Sequence, residues 1–184
     1  MKPIHNITFS FDDAEDRITL RCKLNDKTLI ALQLTRRLTG PLLEKLAKLL
    51  LKSSDVAAAL PAQLQEEVIV MEHARALAQV AAQVRQSDIP ATTPENPDEQ
   101  PASHLLTRID IQPQGSACTL QFFCNGSDAA LTAITFSRAQ LYWFVDTLDR
   151  FAKRADWEIR PFQRGWLVLK DEETANQRSI GLLH

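Results

Sequence analysis

The feature that most constrains this chain is a stretch written twice. In the segment Cys118 to Trp157, Thr119-Leu120 falls on Thr19-Leu20 and Asn125 falls on Asn25. After two extra residues in a turn, Leu131 and Ala133 fall on Leu29 and Ala31. Ile134-Thr135-Phe136-Ser137-Arg138 then falls on Leu32-Gln33-Leu34-Thr35-Arg36, and Asp146-Thr147-Leu148 on Glu44-Lys45-Leu46. The repeated unit reads as paired strands followed by a helix. The expected fold is therefore α+β: two antiparallel β-meander-plus-helix units (βββα twice), an inserted long helix and a C-terminal β-hairpin. Each copy alone buries too little apolar surface to be secure. The copies are expected to pack with pseudo-two-fold symmetry, as one continuous sheet or two facing sheets, with each copy's helix covering an apolar sheet face.

In chain order, His5-Ile7-Phe9-Phe11 alternates with Asn6-Thr8-Ser10, the period of a half-buried strand. Asp12-Asp13-Ala14-Glu15-Asp16 reads as a solvated hairpin turn. It lacks the glycine that a calcium loop needs for its sharp turn. Ile18-Leu20-Cys22-Leu24 is expected to face inward and Arg17-Thr19-Arg21-Lys23 outward, before Asn25-Asp26 turns the chain into Thr28-Ile30-Leu32-Leu34. A first helix opens at Thr39-Gly40-Pro41, with Leu42, Leu43, Leu46, Leu49 and Leu50 as its apolar stripe. Ser53-Ser54-Asp55 breaks it. Pro61 starts a longer helix to about Arg85, in which Leu64, Val68, Met71, Ala74, Leu77, Ala81 and Val84 recur at three and four residues. Residues 1–86 thus comprise the first repeat plus the long helix.

Residues 87–103 contain four prolines and almost nothing to bury, the composition of a linker. The second repeat, with a hairpin and tail, occupies 104–184. Its strands are Thr107-Ile109-Ile111, Cys118-Leu120-Phe122-Cys124 and Ala130-Thr132-Ile134-Phe136, with Asn125-Gly126 as a hairpin turn. Ser137 and Gln140 form a capping box. The following helix is expected to bury Leu141, Phe144, Val145, Leu148, Phe151 and Ala152, and to leave Asp146, Asp149, Arg150 and Lys153 on the opposite side. Trp157-Ile159 and Trp166-Val168, flanking Arg160 to Gly165, read as an edge hairpin.

The sequence argues against several chemistries. Five glycines leave little room for a phosphate cradle, and there is no HExxH or GxSxG. The four histidines, His5, His73, His104 and His184, lack ligand spacing. Glu72-His73 is the only acid–imidazole neighbour pair, and adjacent helical residues point to different faces. No catalytic residue, metal ligand or cofactor is expected, and the protein reads as a non-enzyme. Cys22, Cys118 and Cys124 sit at strand positions without CxxC spacing, which points to reduced, buried thiols and a cytoplasmic location. No stretch reaches the roughly 20 apolar residues of a membrane span, and the opening residues carry no apolar leader.

Two functional expectations follow. The first is a non-catalytic protein-interaction role, as an adaptor or accessory factor. It would act through a protein partner or self-association at the Pro61–Arg85 helix, which has no counterpart after the second copy, or through the tail hairpin. The second comes from a resemblance. Repeated strand-strand-strand-helix units resemble the plan of the PUR and Whirly groups, which are built from repeated meanders each followed by a helix and bind single-stranded nucleic acid. That resemblance implies binding through the basic groups Arg17, Arg21, Lys23, Arg160 and Arg164 with Trp166. Phe162 belongs to the same tail cluster, whose cations beside aromatics can stack on bases or grip a peptide. The chain departs from that plan in its inserted helix pair, its net charge of −2 and the scarcity of aromatics on outward strand positions.

Overall fold

A computed structural model describes residues 2–86 and 101–159. Six strands, β1 (Lys2–Asp12), β2 (Arg17–Leu24), β3 (Leu29–Thr35), β4 (Ala102–Gln114), β5 (Ala117–Cys124) and β6 (Thr132–Ser137), close into one barrel in sequential order. The helices are α1 (Arg36–Lys52), α2 (Asp55–Ala58), α3 (Ala62–Gln86) and α4 (Arg138–Arg154). The tail residues Arg160, Phe162, Arg164 and Trp166 lie outside the described residues.

Within each meander the pairing is antiparallel, and two short parallel seams join the meanders. One seam pairs Lys2 with Thr132 and Pro3 with Ala133; the other runs from Ile30–Ala102 to Gln33–Leu105. The seams use the first two residues of β1 and β6, the first four of β4 and residues 30–33 of β3. The barrel is therefore laced shut at the end carrying the Asn25 and Asn125 turns, and splayed where β3 and β6 run into α1 and α4. Asn125 and Gly126 both have positive φ (53° and 67°), the backbone this tight hairpin needs and the reason an Asn-Gly pair stands there. Positions 102 and 103, assigned above to the linker, belong to β4, because pairing with β3 satisfies backbone groups that no side-chain pattern reveals.

The alternation in β2 places Ile18, Leu20, Cys22 and Leu24 inside. A bulge between Ile4 and Asn6 lets Ile4 join Ile7 on the core side. At the splayed end α1 packs on β3 and β4, α4 packs on β1, β5 and β6, and the two helices touch. Phe144 of α4 is fully buried against Phe9 and Phe136, with ring centroids 5.6 and 4.9 Å away. Beyond α4, Trp157 meets Phe11 edge-on at 6.1 Å, and its indole Nε1 donates to Asp16 Oδ1 at 2.6 Å, tying the helix exit to the acidic β1–β2 turn.

Two expected boundaries move. The first helix begins at Arg36, not at Thr39, so Pro41 lies inside it. The side chain of Thr39 donates to Thr35 O at 3.0 Å, adding a bond in the turn where Pro41 brings no N–H of its own. On α4, Asp146 and Asp149 are buried and not solvent-facing, because α3 packs over that side. The three cysteines are free and buried. Among the described residues, no helix is long and apolar enough to cross a membrane.

Candidate functional site

Helices α2 and α3 are seated on α1 and α4 by apolar contacts and by two polar groupings. Ile69, His73 and Ala76, at helical spacing, are buried on the inner face of α3. His73 Nε2 lies 3.1 Å from Asp146 Oδ1, and Asp146 Oδ2 is 3.1 Å from Arg150 Nε. His73 and Asp146 sit within the contact between α3 and α4, while Arg150 reaches Asp146 from the solvent side.

The neighbouring Glu72 points elsewhere, into a knot at the start of α4. Its carboxylate accepts from Arg138 Nη2 at 2.7 Å, Tyr142 Oη at 2.8 Å and Ser54 Oγ at 2.7 Å. Arg138 also donates to Leu50 O at 2.8 Å and to Ser53 Oγ at 2.5 Å. A cation in the first turn opposes the helix dipole, and the carboxylate of Glu72 offsets it. Burial pushes the Glu72 carboxyl up, but hydrogen bonds from Arg138, Ser54 and Tyr142 outweigh it and hold the group below the usual carboxylate range. Burial, reinforced by the hydrogen bond to Glu72, raises the Tyr142 phenol well above its ordinary value. The capping box holds the same turn: Ser137 N–H donates to Gln140 Oε1 at 2.9 Å, and Gln140 N–H to Ser137 Oγ at 3.4 Å.

So anchored, α3 turns its other face to solvent. Met71 is 72% exposed and Leu64 43%, while Ala74 and Ala78 are exposed beside them. Leu64, Met71 and Ala78 are seven residues apart and therefore nearly in line. Of the five large apolar side chains that are exposed among the described residues, three (Val56, Leu64 and Met71) belong to this insert. A short insert that carries most of the exposed bulky apolar groups is what a contact surface requires.

Arg17, Arg21 and Lys23 share the outer face of β2, as the alternation predicts. Arg17, however, is engaged: its Nη1 donates to Gln33 Oε1 at 2.8 Å and lies 3.6 Å from Glu15. Arg21 is exposed and Lys23 half-buried, beside Asn6, Thr8, Leu29 and Ala31 on the adjoining strands. No aromatic group stands among those neighbours.

Two concavities lie at the splayed end. One of about 450 Å³ is bounded by the β4–β5 turn, the end of α1 and the start of α4, with Ser53, Ser116, Cys118 and Arg138 in its wall. The other, about 620 Å³ and shallower, is bounded by the β1–β2 turn, the start of α1 and Ile159, with Arg17, Arg36 and Arg37 in its wall. Among the described residues, no group of three or more His, Cys, Asp or Glu is placed to hold a metal ion.

Sequence reasoning missed Arg138, Tyr142 and Asp146 as anchors of the insert. Their partners are about 70 residues away in the chain, and only the pairing of Glu72 with His73 hinted that this turn of α3 is chemically unusual. Comparison with known proteins gives no match to a protein-family model, to a curated protein or to a solved structure.

Proposed function

We propose that the chain is a non-catalytic cytoplasmic protein-interaction module, an adaptor or accessory factor, whose contact element is the outer face of α3. The observation that carries this reading is the exposed Leu64–Met71–Ala78 line on a helix whose other side is fixed by Ile69, the His73–Asp146 pair and the Glu72–Arg138 knot. A rigid mount lowers the ordering cost of binding. Three buried free thiols fit a reducing compartment.

We further infer that the two βββα units arose by duplication. The bulge between Ile4 and Asn6 recurs between Leu106 and Arg108 at an offset of 102 residues, the same offset that relates Arg36 to Arg138. The two end concavities are built from corresponding turns and helix starts. On this view α2–α3 is the addition to a duplicated frame, which is where a new role would be placed.

The test is Met71→Glu together with Leu64→Glu. Both positions are solvent-facing, so stability is expected to change by no more than about 0.5 kcal/mol each, while binding of the partner captured by the wild-type chain is lost. Identical partners and an identical oligomeric state in wild type and variant would remove α3 as the site.

A second reading, single-stranded nucleic-acid binding, is supported by Arg21 and Lys23 standing two residues apart on one strand face. It predicts affinity that falls steeply with salt for a labelled oligonucleotide. No binding at about 20 mM salt, where phosphate contacts are strongest, would end it.

A further inference from the structure

The outer face of α3 has an internal symmetry that selects one partner. Leu64 and Ala78 lie seven residues before and after Met71, Glu67 and Arg75 lie four before and after, and Val68 and Ala74 three. Glu67, Met71, Ala74, Arg75 and Ala78 are all exposed, and Val68 is half-buried. A two-fold axis passing beside Met71 exchanges the members of each pair. It sets Leu64 of one copy against the small Ala78 of the other, a projection into a gap. The same operation brings Glu67 beside the second copy's Arg75, twice. With α3 about 37 Å long at 1.5 Å per residue, both contacts fall well inside the overlap. A two-fold axis running along the helices, which gives a parallel pair, would instead place Glu67 against Glu67 and Arg75 against Arg75, a repulsive arrangement.

We propose that the partner seated on α3 is a second copy of this chain, docked antiparallel with Met71 at the two-fold axis. The proposal rests on the reading of this face as the contact element, and it adds the identity and orientation of the occupant.

The test is sedimentation equilibrium of the full chain at low ionic strength, with Glu67→Arg, Arg75→Glu and the double variant. Both substituted positions are exposed, and circular dichroism checks the fold of all three variants. Wild type is expected to dimerise with a dissociation constant on the order of 10 μM, appropriate to a small interface. Each single change creates two like-charge contacts per dimer and is expected to weaken it about tenfold. The charge-swapped double variant is expected to return to within about threefold of wild type. Oxidation of Met71→Cys is expected to give a covalent dimer, because the native thiols are buried.

A double variant as weak as the singles, or no covalent dimer from Met71→Cys, overturns the antiparallel arrangement. A wild-type chain that stays monomeric at about 1 mM, a hundredfold above the expected constant, overturns self-association alone. The contact-element reading then stands or falls on whether Met71→Glu abolishes capture of another protein. A dimer that forms but is indifferent to Met71→Glu and to both charge changes overturns the two readings together.

Discussion

The anchorage of α3 makes a quantitative claim at Glu72. This carboxylate takes three hydrogen bonds, at 2.7, 2.8 and 2.7 Å, from Arg138, Tyr142 and Ser54. The side chains of Glu72 and Arg138 are only 25% and 28% exposed. A hydrogen bond to a charged group contributes about 1.5–3 kcal/mol when its partner cannot turn to water. Each of the three groups retains a second contact after Glu72→Ala, Arg138 as a donor and the two hydroxyls as acceptors. Arg138 keeps Leu50 O, Tyr142 keeps Arg138, and Ser54 Oγ still accepts from Ala57 N–H. The loss is therefore well short of three full bonds, about 2–4 kcal/mol. Glu72→Gln keeps the shape and loses the charge, at about 1–2 kcal/mol. Because these bonds join α3 to α4 and to the N-cap of α2 and not to the barrel, the loss should fall first on α3. Amide exchange should accelerate in α3 while the barrel strands keep their protection, and the urea midpoint should fall. The carboxyl lies below its ordinary value of 4.5 in the folded state. Its contribution is therefore fully present above about pH 4.5 and is lost as pH falls through the lower folded value, a limb that Glu72→Gln should lack. Unchanged α3 exchange and an unchanged urea midpoint in Glu72→Ala would refute the reasoning.

Further predictions concern the barrel and its caps. Burial pushes the Cys22 thiol from 9.0 up to about 12. The neutral form is thus favoured in the fold, and stability should be lost as pH rises from 9 toward 12. At pH 8 the thiol should react with alkylating agents only at the rate of unfolding, which mass spectrometry can follow. Ser137→Ala removes the side-chain half of the α4 capping box and should cost about 1 kcal/mol in urea unfolding. Trp157→Phe keeps the contact with Phe11 but leaves Asp16 without its indole donor, and should cost about 1–2 kcal/mol. A wild-type midpoint in that variant would show that the helix exit does not depend on this bond.

Much of the frame was legible because it is written in side-chain periods. The alternation Ile18-Leu20-Cys22-Leu24, the Asn125-Gly126 turn, the Ser137–Gln140 box and the extent of α3 all appear where the pattern places them. What periodicity does not carry is the pairing of distant backbone. The parallel seams that close six strands into a barrel use main-chain groups at Lys2, Pro3 and positions 30–33, so the sequence could suggest a continuous sheet but not its closure. Nor does it carry long-range polar pairing. Asp146 and Asp149 look like surface carboxylates on a helical wheel, and only the packing of α3 on α4 buries them. The candidate site was half visible. The pattern showed α3 as a long helix with no counterpart later in the chain, but Val68 and Leu77 looked equivalent to Met71 until the fold showed which flank faces solvent. The basic stripe on β2 was legible as a face, while the engagement of Arg17 by Gln33 and Glu15 was not.

The central claim, that the outer face of α3 is where this protein meets its partner, is tested most directly by photocrosslinking from a benzophenone side chain placed at position 71. The same group at position 21, on the outer barrel face, serves as the comparison, with adducts identified by mass spectrometry. The account predicts that position 71 gives one discrete protein adduct, the chain itself if the two-fold arrangement holds, and that position 21 gives none above background. Nucleic-acid adducts at position 21 with none at position 71 would contradict it and move the function to the barrel surface.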